Sequence, residues 1–393
     1  MTERTSLTGN DAVGTAMAQI NPDVVAAFPI TPQTELMHKF AEFWADGKVD
    51  TEVILVESEH SAMSATVGAA AAGARSMTAT SANGFALMWE IVYIAASLRL
   101  PIVMPVVNRA LSGPINIHCD HSDTMGGRDS GWVQLFSENT QESYDNVIQA
   151  VRIAEHKDIR LPVIVTLDGF IISHTQEILE ILGNEDVQKF IGPHIPYYPL
   201  LDINKPVTYG PLDLQDYYFE HKRQQVEAMK NVPGVVREIA ADYAKLTGRK
   251  YDLIEIYGPK DADVSIVALG STAGTAKDVV DKMNEQGKKV NLVKIRMFRP
   301  WPHEDIVAAL KDKKAVAVLD RSESFGAFGG PVFLEVRSSL FGAAKEDRVV
   351  NYIYGLGGRD INMVEIENVY NDLFEIVKTG KVKDRKSFIG VRE

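Results

Sequence analysis

Three polar side chains with different chemistry follow separate apolar runs in the first third of this chain: Thr31, Glu59 and Arg109. A carboxylic acid such as Glu59 can hold a proton, or donate and accept one, at a heteroaromatic ring. The guanidinium of Arg109 is suited to bind a carboxylate through two parallel hydrogen bonds. Each also has a simpler interpretation, because acidic residues are common at helix starts and a lone arginine commonly joins a surface ion pair. The positions of these residues must decide between the two.

The loop around Thr31 reads Phe-Pro-Ile-Thr-Pro at 28–32 and follows an apolar run at 24–27. Each proline fixes its own φ and pushes the preceding residue toward extended geometry, which makes this loop rigid. The apolar run predicts a buried strand, and the carboxyl end of such a strand is the edge where open α/β sheets bind ligands. We therefore expect Thr31 at a ligand-binding edge.

Glu59 and Arg109 occupy equivalent places along the chain. Glu59 follows the predicted strand at 53–56, where an alanine-rich helix begins, and Arg109 follows the predicted strand at 102–107. If these strands are parallel, their carboxyl ends meet at one edge of the sheet. We expect all three polar residues to converge there.

Two other features resemble functional sites but have unsuitable spacing. The possible metal ligands in the run His-Cys-Asp-His-Ser-Asp at 118–123 are contiguous, and no matching second group of ligands is present. This favours a polar loop packed over a pocket rather than a zinc site. The glycine clusters at 325–330 and 355–359 lack the spacing of a phosphate loop or a dinucleotide fingerprint. We expect them to mark tight backbone approach at domain or subunit contacts.

Composition excludes several classes of function. The net charge of −12 over 393 residues argues against binding nucleic acid or an anionic membrane by bulk electrostatics. Cys119 is the only cysteine, so this chain forms no internal disulfide and holds no iron–sulfur cluster by itself. There is no signal core and no apolar run long enough to span a bilayer, so we expect a cytoplasmic protein.

Short β-branched runs alternate with helical patterns, which predicts a parallel α/β layer structure. The pattern is interrupted at about 169–257, where prolines and tyrosines precede a polar helix, and this segment is interpreted as an extended connecting arm. The alternation then resumes. We predict a first domain at 1–257, including the arm, and a second at 258–393.

Taken in order, five segments resemble the α subunits of the 2-oxoacid:ferredoxin oxidoreductases: 8–13, 28–32, 57–60, 108–110 and 120–123. The similarity runs through nearly the whole chain and is greatest to the multi-subunit pyruvate:ferredoxin branch, the pyruvate synthases. A proline-bracketed threonine followed by Asn-Arg-Ala is specific in this combination.

The resemblance implies an α/β fold of two parts. The first is a thiamine-diphosphate-binding-type parallel sheet, the pyrimidine domain, with helices on both faces. The second is a transketolase C-terminal-like α/β domain, in which the segment 296–302, Arg-Met-Phe-Arg-Pro-Trp-Pro, stands at a characteristic position.

The resemblance also implies reversible oxidative decarboxylation of pyruvate to acetyl-CoA, with electrons passing to ferredoxin. Thiamine diphosphate is then shared with a β subunit, magnesium and iron–sulfur clusters lie on partner subunits, and coenzyme A is a co-substrate. The implied partners are β, γ and δ subunits, ferredoxin and the 2-oxoacid, in a dimer of heteromers.

Residue roles follow by correspondence with the family. Glu59 hydrogen-bonds the aminopyrimidine ring and favours its imino form, Arg109 holds the substrate carboxylate, and Thr31 hydrogen-bonds the substrate. Pro29 and Ile30 line the cofactor. No metal ligand is assigned to this chain.

Three alternatives stay open at this stage. One is the same chemistry on another 2-oxoacid, such as 2-oxoisovalerate or phenylglyoxylate, because Ser112-Gly113 departs from some relatives and Phe28 replaces a frequent tyrosine. Another is a non-catalytic scaffold whose α/β blocks serve only assembly. A stand-alone nucleotide-binding oxidoreductase is disfavoured by the spacing of the glycines.

Overall fold

The computed structural model describes residues 2–344 and 346–392. Its strands, in chain order, are β1 (Thr2–Thr8), β2 (Val24–Ala27), β3 (Glu52–Leu55), β4 (Ser76–Met77), β5 (Val103–Asn108), β6 (Val133–Phe136), β7 (Val163–Asp168), β8 (Gln176–Leu182), β9 (Ile254–Tyr257), β10 (Val264–Leu269), β11 (Val290–Ile295), β12 (Met297–Arg299), β13 (Ala315–Asp320), β14 (Val349–Ile353) and β15 (Lys386–Phe388).

The helices are α1 (Gly9–Ile20), α2 (Thr34–Ala45), α3 (Glu59–Ala72), α4 (Ala82–Leu87), α5 (Trp89–Ser97), α6 (Ser122–Gly126), α7 (Thr140–Glu155), α8 (Asn184–Ile191), α9 (Tyr218–Thr247), α10 (Thr272–Glu285), α11 (His303–Leu310), α12 (Pro331–Leu340) and α13 (Met363–Thr379). None of the helices in the described part of the chain combines the length and apolar character that crossing a membrane requires.

The first sheet has the strand order β12-β6-β7-β5-β4-β2-β3. All its neighbours are parallel except β12, which pairs antiparallel with β6. The strands predicted before Thr31, Glu59 and Arg109 are present as β2, β3 and β5, and β4 is only two residues long. The short strand β6 was not predicted. The carboxyl ends of β2, β3, β4, β5 and β7 lie along one edge because these strands are parallel.

Helices cover both faces of this sheet. Val103, Val107 and Val165 belong to the core shared with α1 and α7. Met104 and Ile164 belong to the core shared with α3, α4 and α5. Successive strand residues point to opposite faces, so the continuous apolar runs bury both sides, as in doubly covered parallel sheets.

The second sheet has the order β15-β14-β13-β10-β11-β9, with only β9 antiparallel to its neighbour. The alternation that was predicted to resume in the second half is present, with β10 and β11 as its first two parallel strands and α10 between them. Strand β9 precedes the predicted boundary at 257/258 but pairs in the second sheet, and β12 follows it but pairs in the first. Each half therefore contributes one strand to the sheet of the other half. The domain division stays a prediction.

The segment predicted as an arm contains β8, α8, an irregular stretch at 192–217 and α9. Strand β8 pairs antiparallel with β1, so the beginning of this segment is joined to the first residues of the described chain. Helix α9 packs on α7 through a core that includes Val232, Val236 and Ile239. The irregular stretch exposes large apolar side chains such as Ile195 and Leu201.

A buried carboxylate fixes α9 and the following loop to α7. Asp145 of α7 is fully buried and accepts hydrogen bonds from Arg249 Nε at 2.6 Å and Nη2 at 2.9 Å. The hydroxyls of Tyr243 and Tyr251 donate to it at 2.6 and 2.5 Å. Removing this carboxylate leaves both tyrosine hydroxyls without an acceptor and Arg249 with only the longer contacts to Glu180, at 3.4 and 3.5 Å.

We predict that Asp145→Ala lowers the free energy of unfolding by about 3–5 kcal/mol, the range for breaking a buried ion pair. The measurement is the urea midpoint of the purified protein, followed by tryptophan fluorescence. The matched control is Asp242→Asn on α9, which removes a solvent-screened link to Arg152 of α7 and should cost less than about 1 kcal/mol. Equal midpoint shifts for the two variants would contradict the anchoring role.

Candidate active site

The loop after β2 is held in place by two buried amide side chains. Asn10 Nδ2 donates to the carbonyl of Pro32 at 2.8 Å. Gln33 Nε2 donates to the carbonyl of Ala79 at 3.0 Å, and its Oε1 accepts from the backbone N–H of Ile30 at 3.3 Å. Both amides are fully buried. The proline-rich loop is therefore anchored to α1 and to the segment after β4.

Thr31 is an exposed residue of this loop. Its hydroxyl makes no hydrogen bond with a partner in residues 2–344 or 346–392. Pro29 is exposed beside it and Ile30 is half-buried. The structure therefore places these three predicted site residues where a molecule outside the chain can reach them.

Glu59 begins helix α3, whose N-cap Ser58 accepts a hydrogen bond from the backbone N–H of Ser61 at 3.2 Å. The Glu59 side chain is turned inward and is 6% exposed. A Cβ placed on Gly84 would lie 2.7 Å from Glu59 Oε1, so the backbone of Gly84 packs against this carboxyl and leaves no room for a side chain there. Within the described residues the carboxyl has no hydrogen-bond partner. The carboxyl of Glu59 is therefore buried without a polar partner.

Buried hydroxyl groups follow β4, and they were not predicted from the sequence as part of the site. The side-chain oxygens of Thr78, Thr80 and Ser81 are buried without a hydrogen-bond partner. The missing Cβ of Gly84 would lie 2.5 Å from Thr80 Oγ1, on the same side as Glu59. The run of small and hydroxyl residues at 78–84 follows a strand, as the other site loops do, and that position was the available signal.

Arg109 follows β5 and is 7% exposed. Its Nη1 donates to the backbone carbonyl of Thr31 at 2.9 Å, and its Nε donates to the carbonyl of Asn116 at 2.9 Å. The Nη2 nitrogen carries no hydrogen bond to the described chain. Since a guanidinium has five N–H donors, three remain for a ligand. Thr31 and Arg109 are therefore in direct contact.

Asp123, the last residue of the polar run at 118–123, was given no site role from the sequence, yet it joins the loops around this edge. Its buried carboxylate accepts from the backbone N–H of Ala82 at 3.1 Å and of Arg109 at 3.0 Å, and from Asn108 Nδ2 at 2.8 Å. Burial raises the pKa of this carboxyl to about 6, although the hydrogen bonds from Arg109 and Asn108 oppose the rise. The Ala82 segment leads to Gly84, so it lies between Arg109 and Glu59.

The run at 118–123 forms a polar loop that ends in α6, which begins at Ser122. His121 Nε2 contacts Asp168 Oδ1 at 2.8 Å, and Asp168 Oδ2 accepts from Arg321 Nη1 at 3.2 Å and from the hydroxyl of Ser271 at 2.5 Å. Burial disfavours the charged form of Asp168, but the attraction of His121 and Arg321 outweighs it and lowers its pKa. Cys119 lies within 4.8 Å of this pair. Since Arg321 already neutralises the carboxylate, the arrangement is that of a domain contact.

The chain is similar to known proteins over its whole length. A family model described as pyruvate flavodoxin/ferredoxin oxidoreductase, thiamine diphosphate-binding, matches residues 15–241. A second, pyruvate:ferredoxin oxidoreductase core domain II, matches residues 262–366. The pyruvate synthase subunit PorA of Thermotoga maritima is 59% identical over 391 residues, covering 100% of this chain and 99% of the relative.

The chain belongs to the pyruvate flavodoxin/ferredoxin oxidoreductase family. This confirms the predicted enzyme class, a 2-oxoacid:ferredoxin oxidoreductase, and the predicted dependence on thiamine diphosphate. It also confirms the predicted function at the level of the pyruvate synthases. The roles assigned to individual site residues stay predictions.

Solved structures confirm the predicted fold class. A 2-oxoglutarate:ferredoxin oxidoreductase from Magnetococcus marinus, with 2-oxoglutarate, coenzyme A and succinyl-CoA bound, superposes with a TM-score of 0.73 at 21% identity. The match covers 94% of this chain and 65% of that one, so the chain spans about two thirds of its length. A split-gene transketolase, an inactive β4 tetramer, gives a TM-score of 0.55 at 13% identity, with coverage of 95% and 98%.

We predict that Asp123 makes stability pH-dependent. Its pKa rises from 3.8 in the unfolded chain to about 6 in the folded one, so between these values the folded chain keeps a proton that the unfolded chain has lost. The free energy of unfolding should therefore decrease, by up to about 3 kcal/mol, as pH rises through this window. Urea midpoints measured from pH 4 to 7 at constant ionic strength check this.

The comparison that isolates this effect is Asp123→Asn, whose stability should change less with pH than that of the wild type over the same window. Asp129→Asn, at an exposed carboxylate six positions further along, should keep the wild-type profile. Parallel profiles for the wild type and Asp123→Asn would show that the carboxyl titrates normally.

Proposed function

We propose that this chain is the α subunit of a pyruvate:ferredoxin oxidoreductase and forms one half of an active site that a β subunit completes. The overall reaction is the reversible oxidative decarboxylation of pyruvate to acetyl-CoA, with electrons passing to ferredoxin. The observation that carries the proposal is the convergence of Glu59, Thr31 and Arg109 at one sheet edge, each with polar atoms that no described residue satisfies.

The unpartnered polar groups at Glu59 suit a heteroaromatic ring. The carboxyl of Glu59 makes no hydrogen bond to a described residue, and the unpartnered hydroxyl of Thr80 lies near the same glycine, Gly84. When bound, thiamine diphosphate supplies the nucleophilic carbon that decarboxylation of a 2-oxoacid requires. Glu59 holds a proton between its carboxyl oxygen and a ring nitrogen, and burial strengthens this hydrogen bond by excluding water.

Arg109 and Thr31 position the substrate. The free Nη2 donors of Arg109 bind the 2-oxoacid carboxylate, while the bonds to the carbonyls of Thr31 and Asn116 fix the plane of the guanidinium. The Thr31 hydroxyl donates to the substrate near its carboxylate or keto oxygen. Orientation of this kind lowers the barrier because the reacting atoms are already aligned.

Other subunits must supply what this chain lacks. Its one cysteine, Cys119, is buried, so iron–sulfur clusters belong on partners, together with the magnesium diphosphate site. Large apolar side chains around the site edge are exposed, including Leu55, Leu87 and Ile115, which suits coverage by a β subunit. We include γ and δ subunits, coenzyme A as co-substrate, a dimer of heteromers and a cytoplasmic location in this proposal.

We predict that Glu59→Gln in the assembled enzyme lowers kcat by about 100-fold or more, because an amide cannot hold or transfer the proton. Steady-state reduction of ferredoxin with pyruvate measures the effect. The control is Glu57→Gln, an exposed carboxylate two positions earlier that bonds Ser61, and its kcat should stay at the wild-type level. Full turnover by Glu59→Gln would disprove the proton role.

We predict that Arg109→Lys raises the KM for pyruvate by about 10-fold or more, because lysine keeps the charge but loses the forked donors. The KM for coenzyme A should not change. Arg4→Ala, at an exposed position on β1, is the control. A scaffold subunit would instead leave the KM for pyruvate unchanged, and the same assay with 2-oxoisovalerate and phenylglyoxylate ranks the alternative substrates.

A further inference from the structure

The glycine-rich turn between β14 and α13 has no role in the site described so far. It contains Gly355, Gly357 and Gly358, with φ values of +65°, +62° and +83°. These are left-handed conformations, which glycine adopts readily and residues with a Cβ adopt only with strain. The turn belongs to the second half of the chain, whereas the proposed substrate-binding residues belong to the first.

This turn packs directly on the loop that follows Arg109. Asn116 Nδ2 donates to the carbonyl of Gly357 at 2.9 Å, and the N–H of Gly357 donates to Asp120 Oδ2 at 3.1 Å. A Cβ on Gly357 would lie 2.5 Å from Asn116 Nδ2, and a Cβ on Gly358 would collide with His118. No side chain fits between the turn and the loop.

Asn116 connects this contact to the arginine. Its backbone carbonyl accepts from Arg109 Nε at 2.9 Å, and its side-chain Oδ1 accepts from the N–H of His118 at 2.7 Å. The loop is closed by a bond from the N–H of Ala110 to the carbonyl of His118 at 3.0 Å. Asn116 therefore bonds both to the glycine turn and to the guanidinium of Arg109.

The guanidinium has two fixed donors, and they are set by different halves of the molecule. Nη1 is fixed by the Thr31 carbonyl in the first half. Nε is fixed by Asn116, whose own position depends on Gly357 in the second half. Since two bonds to a planar group determine its orientation, displacing Asn116 would rotate Nη2 away from the substrate position.

We propose that the turn at 355–358 is a positioning element for Arg109, acting through Asn116. The second half of the chain thereby takes part in substrate binding without touching the substrate. This inference rests on the proposed function, because it assigns the turn to the same site.

The test is Gly357→Ala in the assembled enzyme. The added methyl group displaces Asn116, so the KM for pyruvate should rise about 5- to 10-fold while kcat changes less than about 2-fold and the KM for coenzyme A stays constant. The matched control is Gly380→Ala, which has the same sign of φ (+69°) but open space around its Cβ. Its KM for pyruvate should equal that of the wild type.

Asn116→Ala provides an independent test that adds no bulk and serves if Gly357→Ala does not assemble. It removes both side-chain bonds of Asn116 and should also raise the KM for pyruvate selectively. An equal rise in Gly380→Ala, or a rise that includes coenzyme A, would overturn the inference by showing general loosening.

The inference and the proposed function can fail separately. If Arg109→Lys raises the KM for pyruvate but Gly357→Ala and Asn116→Ala do not, the positioning role is wrong and the substrate role of Arg109 stands. If Arg109→Lys has no effect, the substrate role itself is wrong, and the positioning role falls with it.

Discussion

The parallel pairing of β2, β3, β4 and β5 is the constraint on which the site depends. Parallel neighbours end at the same edge, so loops that are far apart along the chain emerge side by side. Thr31 follows β2, Glu59 follows β3, and Arg109 follows β5. An antiparallel partner in the middle of this sheet would send one of these loops to the opposite edge and separate the acid from the guanidinium.

Buried polar groups convert this proximity into a defined geometry. Gln33 and Asn10 hold the proline-rich loop, and the carboxylate of Asp123 binds backbone N–H groups of two neighbouring loops. Each of these groups is buried and bonds to backbone atoms, so moving a loop would leave a polar atom unpaired at a cost of about 1–3 kcal/mol. By contrast, the carboxyl of Glu59 and the hydroxyls of Thr78, Thr80 and Ser81 have no hydrogen-bond partner among the described residues.

The two halves of the chain are mutually dependent at this site. Strand β12 pairs in the first sheet, Arg321 binds Asp168 at the end of β7, and Gly357 contacts Asn116. Two of these contacts reach the loops around Arg109, since Asn116 binds Arg109 and Asp168 binds His121 of the following loop. The second half of the chain therefore helps to hold the loops of the first half in place.

The sequence by itself determined the alternation of strands and helices, and with it the positions of Thr31, Glu59 and Arg109, because local patterns encode strands and a strand end predicts an edge. It missed β1 with β8, whose pairing joins residues far apart, and β6, which is short. Only the tertiary structure decided that Arg109 bonds the Thr31 carbonyl, that Asp123 links two loops, and that Gly357 contacts Asn116. The physical reason is that these bonds depend on which distant segments meet, and no local pattern encodes that.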